Sequence, residues 1–287
     1  MTSRSVAMNA GVFTSNILVK KRYLLLSIWI LLASLFPVML SIIDVFGRRF
    51  AEPGGLFIFG WFDVFFIPLV ALGWWALFVL LTCVHTWIIL KILNLLCKPK
   101  EGIFPRFPNE KGKYNRDFRY WCLREVVKKP AVWAAHSFPL PWIDLLVFKF
   151  FGVKYKAETP LMDSWVSTEF LEIGNNVVVG STSVISSSAV IGDKLIVQKV
   201  IIEDNSVVGG SSIVSPGTVI EKNVMLGARS STHIGQRLEE GWIYFGNPAT
   251  KLRENDLGDE VEKIDAAVKS GKLTKLIGDE EEESTEK

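Results

Sequence analysis

The sequence is poor in the residues that most often carry out chemistry at protein sites. Its 287 residues include only three histidines and three cysteines. No two cysteines are spaced as Cys-x-x-Cys, so neither a disulfide framework nor a cysteine metal site is expected. The 32 basic and 30 acidic residues leave a net charge of +2, which is too small for the field of a nucleic-acid-binding protein. We therefore predict no metal and no nucleic-acid partner.

Charge is also absent from two long stretches near the N-terminus. Residues 23–43 and 64–90 contain no Asp, Glu, Lys or Arg. Crossing the hydrocarbon of a bilayer takes ~20 residues of helix, so both stretches are long enough. The first starts late and lacks a small-x-small cleavage site, unlike a signal peptide. The sequence predicts a transmembrane hairpin over residues 23–95, with residues 1–22 as a preceding cytoplasmic segment.

The cationic residues lie outside this hairpin. Those before the first stretch and after the second are Arg4, Lys20, Lys21, Arg22, Lys91, Lys98, Lys100, Arg106, Lys111 and Lys113. The connecting loop holds Arg48 and Arg49, which nearby acidic residues offset. Segments rich in Lys and Arg next to transmembrane helices remain on the cytoplasmic side. We therefore predict a two-pass integral membrane protein with both termini in the cytoplasm.

Residues 96–150 combine basic and aromatic side chains and are predicted to form a helical linker at the membrane interface. Its last part, residues 143–151, is strongly apolar but too short to span. Two assignments are open for it, an interfacial helix and a lid on the domain that follows. They do not exclude each other. Beyond that domain, residues 254–287 read as a short helix and an acidic tail.

A six-residue rhythm of aliphatic side chains runs through the second half of the chain. It has two blocks, separated by a slip of one residue: Ile173, Val179, Ile185, Ile191 and Val197, then Ile202, Val208, Val214, Ile220 and Leu226. A small residue or a valine stands four places after most of them. A period of six fits neither a helix nor a uniformly alternating strand. It predicts a chain that turns a corner every six residues and stacks triangular coils around an aliphatic column.

The repeat ends in Trp242-Ile-Tyr-Phe-Gly-Asn-Pro-Ala249, followed by Lys251 and Arg253. The hexads and this ending resemble the left-handed parallel β-helix of the hexapeptide-repeat acyltransferases. The resemblance implies a β-helix over residues 151–253. The fold class predicted is a membrane-anchored, mainly β protein with two transmembrane helices, an interfacial linker and a left-handed β-helix.

The whole arrangement is similar to one repeating unit of the membrane half of ε-poly-L-lysine synthetase. The similarity rests on Arg119-Tyr-Trp121, Phe150-Phe-Gly152, Asp193-Lys-Leu195, Val208-Gly209, Trp242 and the Gly-Asn-Pro-Ala ending. The chain lacks adenylation and carrier domains. The resemblance therefore implies separate adenylation and carrier proteins, or a diffusible thioester such as acyl-CoA.

Acyl transfer needs a base for the nucleophile, and histidine is the usual one. His85 lies in an apolar stretch, where an inward hydrogen bond is expected. His136 and His233 are the candidate bases. The known acetyltransferases resembled here carry a histidine in a loop among the middle coils, where this chain has none. Asp163 and Glu169 are therefore candidates to bind an ammonium or act as base.

The donor is expected at the end of the repeat. Gly246, Asn247, Pro248 and Ala249 would shape a tight turn, and Lys251 and Arg253 would contact a phosphate. The resemblance places such sites between neighbouring prisms and implies a homotrimer. The sequence thus predicts a membrane-bound acyltransferase that moves an acyl or aminoacyl group from a thioester to an amine or hydroxyl. The alternative is a non-catalytic trimeric β-helix scaffold of a membrane complex.

Overall fold

Two long apolar helices open the computed structural model, which describes residues 21–51, 61–139, 143–155, 164–256 and 258. Helix α1 spans Lys21–Ala51 and α2 spans Trp61–Leu96. Both are long and apolar enough to cross a membrane, and only 17% of each apolar window is buried. The predicted N-terminal segment before Lys21, the tip of the hairpin loop and the acidic tail lie outside the described residues.

The two helices pack through a narrow polar and apolar seam. Ile30 and Val79 are buried between them. The Nδ1 atom of His85 lies 3.1 Å from Ser34 Oγ and 2.8 Å from the carbonyl oxygen of Leu81. His85 therefore has the inward, hydrogen-bonded setting predicted for it, and the structure assigns it a packing role.

Helix α3 (Arg116–His136) packs along α2 in the antiparallel direction. At one end, Arg116 donates to the carbonyl of Leu96. At the other, the ring of Phe138 lies 5.6 Å from that of Trp75. The two contacts are separated by a similar number of residues on α2 and on α3. The helix axes therefore run side by side. The apolar face of α3 is covered by α1 and α2, so α3 joins their bundle, and its place at the membrane interface stays a prediction.

Helix α4 (Ile143–Phe151) connects the helical bundle to the β-domain. Val147 and Phe151 pack with α2 and α3. Phe148, which is 2% exposed, packs in the aliphatic core of the β-domain and closes its helix-proximal end. The lid predicted as one of two alternatives is therefore observed.

The β-domain is a parallel β-helix of very short strands. In chain order the strands are β1 (Gly102–Pro105), β2 (Lys154–Tyr155), β3 (Trp165–Val166), β4 (Leu171–Ile173), β5 (Val178–Val179), β6 (Val184–Ile185), β7 (Ser188–Ile191), β8 (Lys194–Val197), β9 (Val200–Ile202), β10 (Val207–Val208), β11 (Ile213–Val214), β12 (Val219–Ile220), β13 (Met225–Leu226), β14 (Arg237–Leu238), β15 (Trp242–Gly246) and β16 (Ala249–Glu254). Three faces stack in the orders β14-β12-β9-β4-β2, β16-β15-β13-β10-β5 and β11-β6-β3. Only β16 breaks the parallel pairing of these faces, by turning back on β15.

The corners explain the small residues of the repeat. At six corners a residue adopts a left-handed conformation, with φ between 51° and 60°: Asn176, Thr182, Asn205, Ser211, Asn223 and Arg229. The next residue in each case is almost fully buried, and it is serine or valine. Ser212 shows why serine fits, because its hydroxyl donates to the carbonyl of Gly227 on the next coil (2.9 Å). Such a bond satisfies a polar atom that burial would otherwise make costly.

Eight of the ten predicted aliphatics point into the column, and each is at most 4% exposed. Ile191 and Val197 do not, which corrects the predicted first block. Residues Ile202, Ile220 and Leu238 of one face recur every 18 residues, whereas Ile173 and Ile202 are 29 apart. The 11 additional residues form an antiparallel hairpin, β7–β8, that leaves the coil.

The hairpin attaches the β-helix to the helical bundle. Strand β1, from the linker, pairs antiparallel with β8. Leu195 and Val197 then pack against Phe118, Trp121 and Cys122 on α3. The insertion is therefore a docking element, and Val197 is buried against a helix instead of in the column.

Candidate functional site

The Gly-Asn-Pro-Ala segment forms a tight turn that stacks on the preceding corner of the β-helix. The turn joins β15 to β16 and contains a cis peptide bond between Asn247 and Pro248. Ser231 donates its backbone N–H to the carbonyl of Gly246 (3.0 Å) and accepts from the N–H of Ala249 (2.7 Å). Its hydroxyl contacts the side chain of Asn247. These bonds fix the closing turn, residues 246–249, against the last full coil.

His233 lies beside this turn. Its backbone N–H donates to Gln236 Oε1 (2.9 Å), and Gln236 Nε2 donates to the carbonyl of Ala249 (2.8 Å). Gln236 is buried while His233 is exposed. The structure therefore brings together His233 and the closing turn, as the sequence predicted, through a glutamine that the sequence analysis did not single out.

The two predicted phosphate-binding cations differ in their surroundings. Lys251 Nζ lies 2.5 Å from Glu239 and 3.8 Å from the centre of the Trp242 ring. Arg253 is 47% exposed in its side chain, and its contact to Asp256 is long at 3.8 Å. Both cations lie next to the closing turn, on β16, and both remain candidates to meet an anionic ligand.

Glu169 belongs to a buried ion cluster between α3 and the first coil. Its carboxylate accepts from Arg124 Nε at 3.0 Å, and Lys128 Nζ lies 3.5 Å away. Lys128 also pairs with Glu125 at 2.5 Å. Burial lowers the pKa of Lys128, but the two carboxylates outweigh burial and the net pKa is raised. Two cations already contact this carboxylate, so the arrangement favours a structural role for Glu169.

His136 ends α3 among aromatic side chains. Its ring centre lies 5.6 Å from that of Trp165 on β3 and 6.2 Å from that of Phe148 on α4. It is thus on the helix-proximal side of the β-helix. Asp163 lies outside the described residues.

Glu169 and His233 do not lie in one site. Glu169 precedes β4 and His233 precedes β14, at the same corner of the prism but three strand spacings apart. At ~4.8 Å per spacing, the two levels are separated by roughly 14 Å. The β7–β8 hairpin leaves the prism from this corner between the two levels, and it contains no histidine. A symmetric trimer around an axis parallel to the column would keep this separation between neighbouring chains.

A cavity that the sequence analysis missed lies where the helices meet the first coil. It measures about 560 Å³ and is bordered by α2, α4 and residues 168–170. Thr168 and Asn94 line it, and each has a buried side-chain oxygen with no hydrogen-bond partner among the described residues. Neither belongs to a motif, and they are 74 positions apart in sequence, so only the docking of bundle and prism reveals them. We call this space the junction cavity. The described residues contain no cluster of three or more His, Cys, Asp or Glu side chains that would suit a metal ion.

Comparison with protein families identifies the repeat. Residues 171–198, 199–228 and 217–241 match a family model described as the hexapeptide repeat of succinyl-transferase. These residues therefore carry the hexapeptide repeat that the model describes, and in the structure they form the parallel β-helix. A comparison with curated proteins finds no match.

Solved structures with the same architecture align to this domain. A hexapeptide-repeat acetyltransferase from Vibrio cholerae is 13% identical over 45% of this chain and 89% of its own, with a TM-score of 0.36. The N-acyltransferase AntD from Bacillus cereus, in a complex with coenzyme A, is 19% identical over 44% and 96%, with a TM-score of 0.29. A maltose O-acetyltransferase from Clostridium difficile is 16% identical over 39% and 74%, with a TM-score of 0.31. At such low scores the alignments decide neither substrate nor site residues.

Proposed function

We propose that the protein is a membrane-bound acyltransferase that moves an acyl or aminoacyl group from a thioester donor to an amine or hydroxyl. The observation that carries the proposal is the hexapeptide-repeat domain with its ordered closing turn. The donor would be acyl-CoA, or an acyl thioester on a separate carrier protein. The similarity to one unit of ε-poly-L-lysine synthetase remains a prediction.

Exposed apolar side chains support membrane insertion of α1 and α2. Leu25, Phe36 and Leu69 are 65%, 64% and 61% exposed, among many others on these two helices. The core helices of a soluble protein would bury these side chains, whereas contiguous apolar surface of this extent needs lipid or a partner. The cationic residues outside the hairpin would then keep both termini in the cytoplasm. A reporter fused after Lys287 should read as cytosolic, and a signal from the opposite side would contradict this topology.

The proposed donor site is the closing turn with its neighbours. His233 would take the proton of the attacking amine or hydroxyl, since its exposed ring lies on the same corner as the turn. Arg253 would bind a phosphate of the donor. Glu169 is already engaged in ion pairs, and the axial separation keeps it away from His233.

The test is donor binding followed by turnover. Acyl-CoA at one hundred times its Kd should stabilise the detergent-solubilised protein by ~2.7 kcal/mol. Arg253→Ala should weaken donor binding by ~1–3 kcal/mol, since the arginine would make a charge-assisted hydrogen bond. Arg237→Ala, which removes another exposed arginine of the β-helix, serves as the matched control.

Replacing the proposed base separates binding from chemistry. His233→Ala should leave acyl-CoA binding intact and lower turnover by ~10²–10⁴-fold, the usual contribution of a general base. Full activity in this variant would remove His233 from the mechanism. Absence of donor binding by the folded wild-type protein would favour the scaffold alternative.

A further inference from the structure

The junction cavity is amphipathic. Its apolar lining consists of Trp87, Leu90, Leu95, Pro99, Phe150 and Phe151, and its polar lining includes Lys91, Asn94, Lys98, Thr168 and Glu169. A volume of about 560 Å³ lies within the ~300–1,000 Å³ range of small-molecule sites. The lining thus suits a ligand with one apolar and one polar end.

One face of α2 supplies much of the polar lining. Lys91, Asn94 and Lys98 are spaced i, i+3 and i+7, which sets them along one side of the helix. Trp87 stands one turn earlier on the same side, and Lys91 Nζ lies 5.2 Å from its ring centre. Lys91 is also the first charge after the apolar run of residues 64–90. The cations therefore begin where the hydrocarbon would end.

Two polar atoms in the cavity wall lack partners. Thr168 is only 5% exposed, and its Oγ1 atom makes no hydrogen bond within the described part of the chain. The same is true of Asn94 Oδ1 on the opposite wall. A buried polar atom left unpaired is destabilising by ~1–3 kcal/mol, so a small rotation of either side chain toward a ligand in the cavity would be favourable.

The charge that the described residues place around the cavity is positive. Among them, Glu169 is the one carboxylate in the lining, and Arg124 and Lys128 of α3 already pair with it. Lys91 and Lys98 then remain as the charges that a ligand in the cavity would meet. An anion is the matching partner, and a hydroxyl such as that of Thr168 is a common donor to phosphate oxygens.

We propose that the junction cavity binds the phosphate headgroup of a membrane lipid, with the lipid chains along Trp87, Leu90 and Phe150. The inference rests on the membrane insertion proposed above but not on acyl transfer. The phosphate lies between Lys91, Lys98 and the Thr168 hydroxyl. A headgroup hydroxyl or amine satisfies Asn94. The lipid secures the prism to the bundle at their junction.

The probes are dihexanoyl phosphatidic acid, dihexanoylglycerol and inorganic phosphate, titrated separately into the detergent-solubilised protein. Phosphatidic acid should bind at least tenfold more tightly than either of the other two, because only it fills both halves of the cavity. Equal binding of inorganic phosphate would reduce the site to a simple anion site. Equal binding of dihexanoylglycerol would reduce it to an apolar groove. Either result overturns the proposal.

Variants test the residues. The double change Lys91→Ala and Lys98→Ala should weaken phosphatidic acid binding at least tenfold, whereas Lys100→Ala, an exposed lysine outside the lining, should not change it. Thr168→Val should also weaken binding, and Thr168→Ser, which keeps the hydroxyl, should restore it. Unchanged affinity in the double variant, or equal loss in Lys100→Ala, contradicts the assignment.

Failure of this proposal is distinguishable from failure of the proposed function. Short-chain lipid binding is measured without donor, and acyl-CoA binding is measured without lipid. Extraction of the protein from membranes by carbonate would refute insertion, and it is measured independently of both titrations.

Discussion

Neighbouring residues in one strand of the β-helix differ completely in their surroundings. Val208 is fully buried in the column, whereas Val207, one residue earlier, is only half-buried on the outer face. The same contrast holds for Ile220 and Val219. Side chains alternate between the two faces of a strand, so the register decides which substitution the fold tolerates.

We expect Val208→Asp or Ile220→Lys to abolish folding, since an unpaired charge in the column is destabilising by several kcal/mol. The matched changes Val207→Thr and Val219→Thr should leave the amount of folded protein in the membrane nearly unchanged. The measurement is folded protein recovered from membranes. Equal tolerance of both pairs would mean that the register is wrong.

How far the sequence predicts individual residues depends on the range of the interactions involved. The column and its corners were predictable because each coil repeats the same local requirement. Ile191 and Val197 match the spacing by coincidence, since a hairpin also buries alternate residues and no repeat identifies the docking surface it meets. The partners of Glu169 were not predictable either, because Arg124 lies 45 positions earlier and meets it only after bundle and prism dock.

At the scale of elements, the ion cluster of Glu169 with Arg124 and Lys128 holds α3 to the first coil. Arg124 and Glu169 are 4% and 15% exposed in their side chains. Glu169→Gln removes the charge but keeps the shape, and it leaves Arg124 buried without its carboxylate. We expect a loss of ~3–5 kcal/mol in the free energy of unfolding, the range for breaking a buried pair by removing one partner.

The control for this variant is Glu110→Gln, an exposed glutamate in the loop before α3. Its stability in chemical denaturation should match that of the wild type. If Glu169→Gln keeps full stability but loses turnover, the carboxylate is the catalytic base after all and the structural role is refuted.

Acid should weaken two carboxylate clusters on the outside of the prism. Hydrogen bonds from Lys154 and Lys199 lower the pKa of Glu172, and a backbone hydrogen bond from Glu240 with the Arg237 side chain lowers that of Glu221. The pKa of each glutamate is lower in the folded state than its ordinary value of 4.5. Each carboxylate therefore stabilises the fold fully at pH values above 4.5. That stability is lost as the pH falls through the folded-state pKa.

We therefore expect the melting temperature to fall between about pH 5 and pH 3 in part through these groups. The double variant Glu172→Gln and Glu221→Gln should be less stable at pH 7 and show a shallower fall. A fall as steep as in the wild type would assign the acid sensitivity to other carboxylates.

The whole molecule presents a prism with exposed apolar side chains on its outer faces. Phe245 and Val178 are 54% and 42% exposed on the same face, and Trp165 is 65% exposed on another. Flat faces with such side chains suit association, and closed symmetry is the usual form that it takes. We predict a C3 homotrimer with the helical hairpins around its axis.

Native mass spectrometry in detergent should give three chains per particle. Phe245→Asp should shift the population to monomer, since a charge replaces an apolar contact, whereas Phe107→Asp, at an exposed phenylalanine outside the prism, should not. A monomeric or dimeric wild-type particle would refute the trimer.

The stacking of coils also sets a height above the lipid. Four strand spacings separate β2, next to the helical bundle, from β14, next to the closing turn, which is roughly 19 Å. The surface potential of an anionic leaflet decays over ~8 Å at physiological salt. With the column perpendicular to the membrane, an anionic donor at the closing turn is therefore screened from the repulsion of the membrane surface. The number of coils, rather than any local charge, would provide that distance.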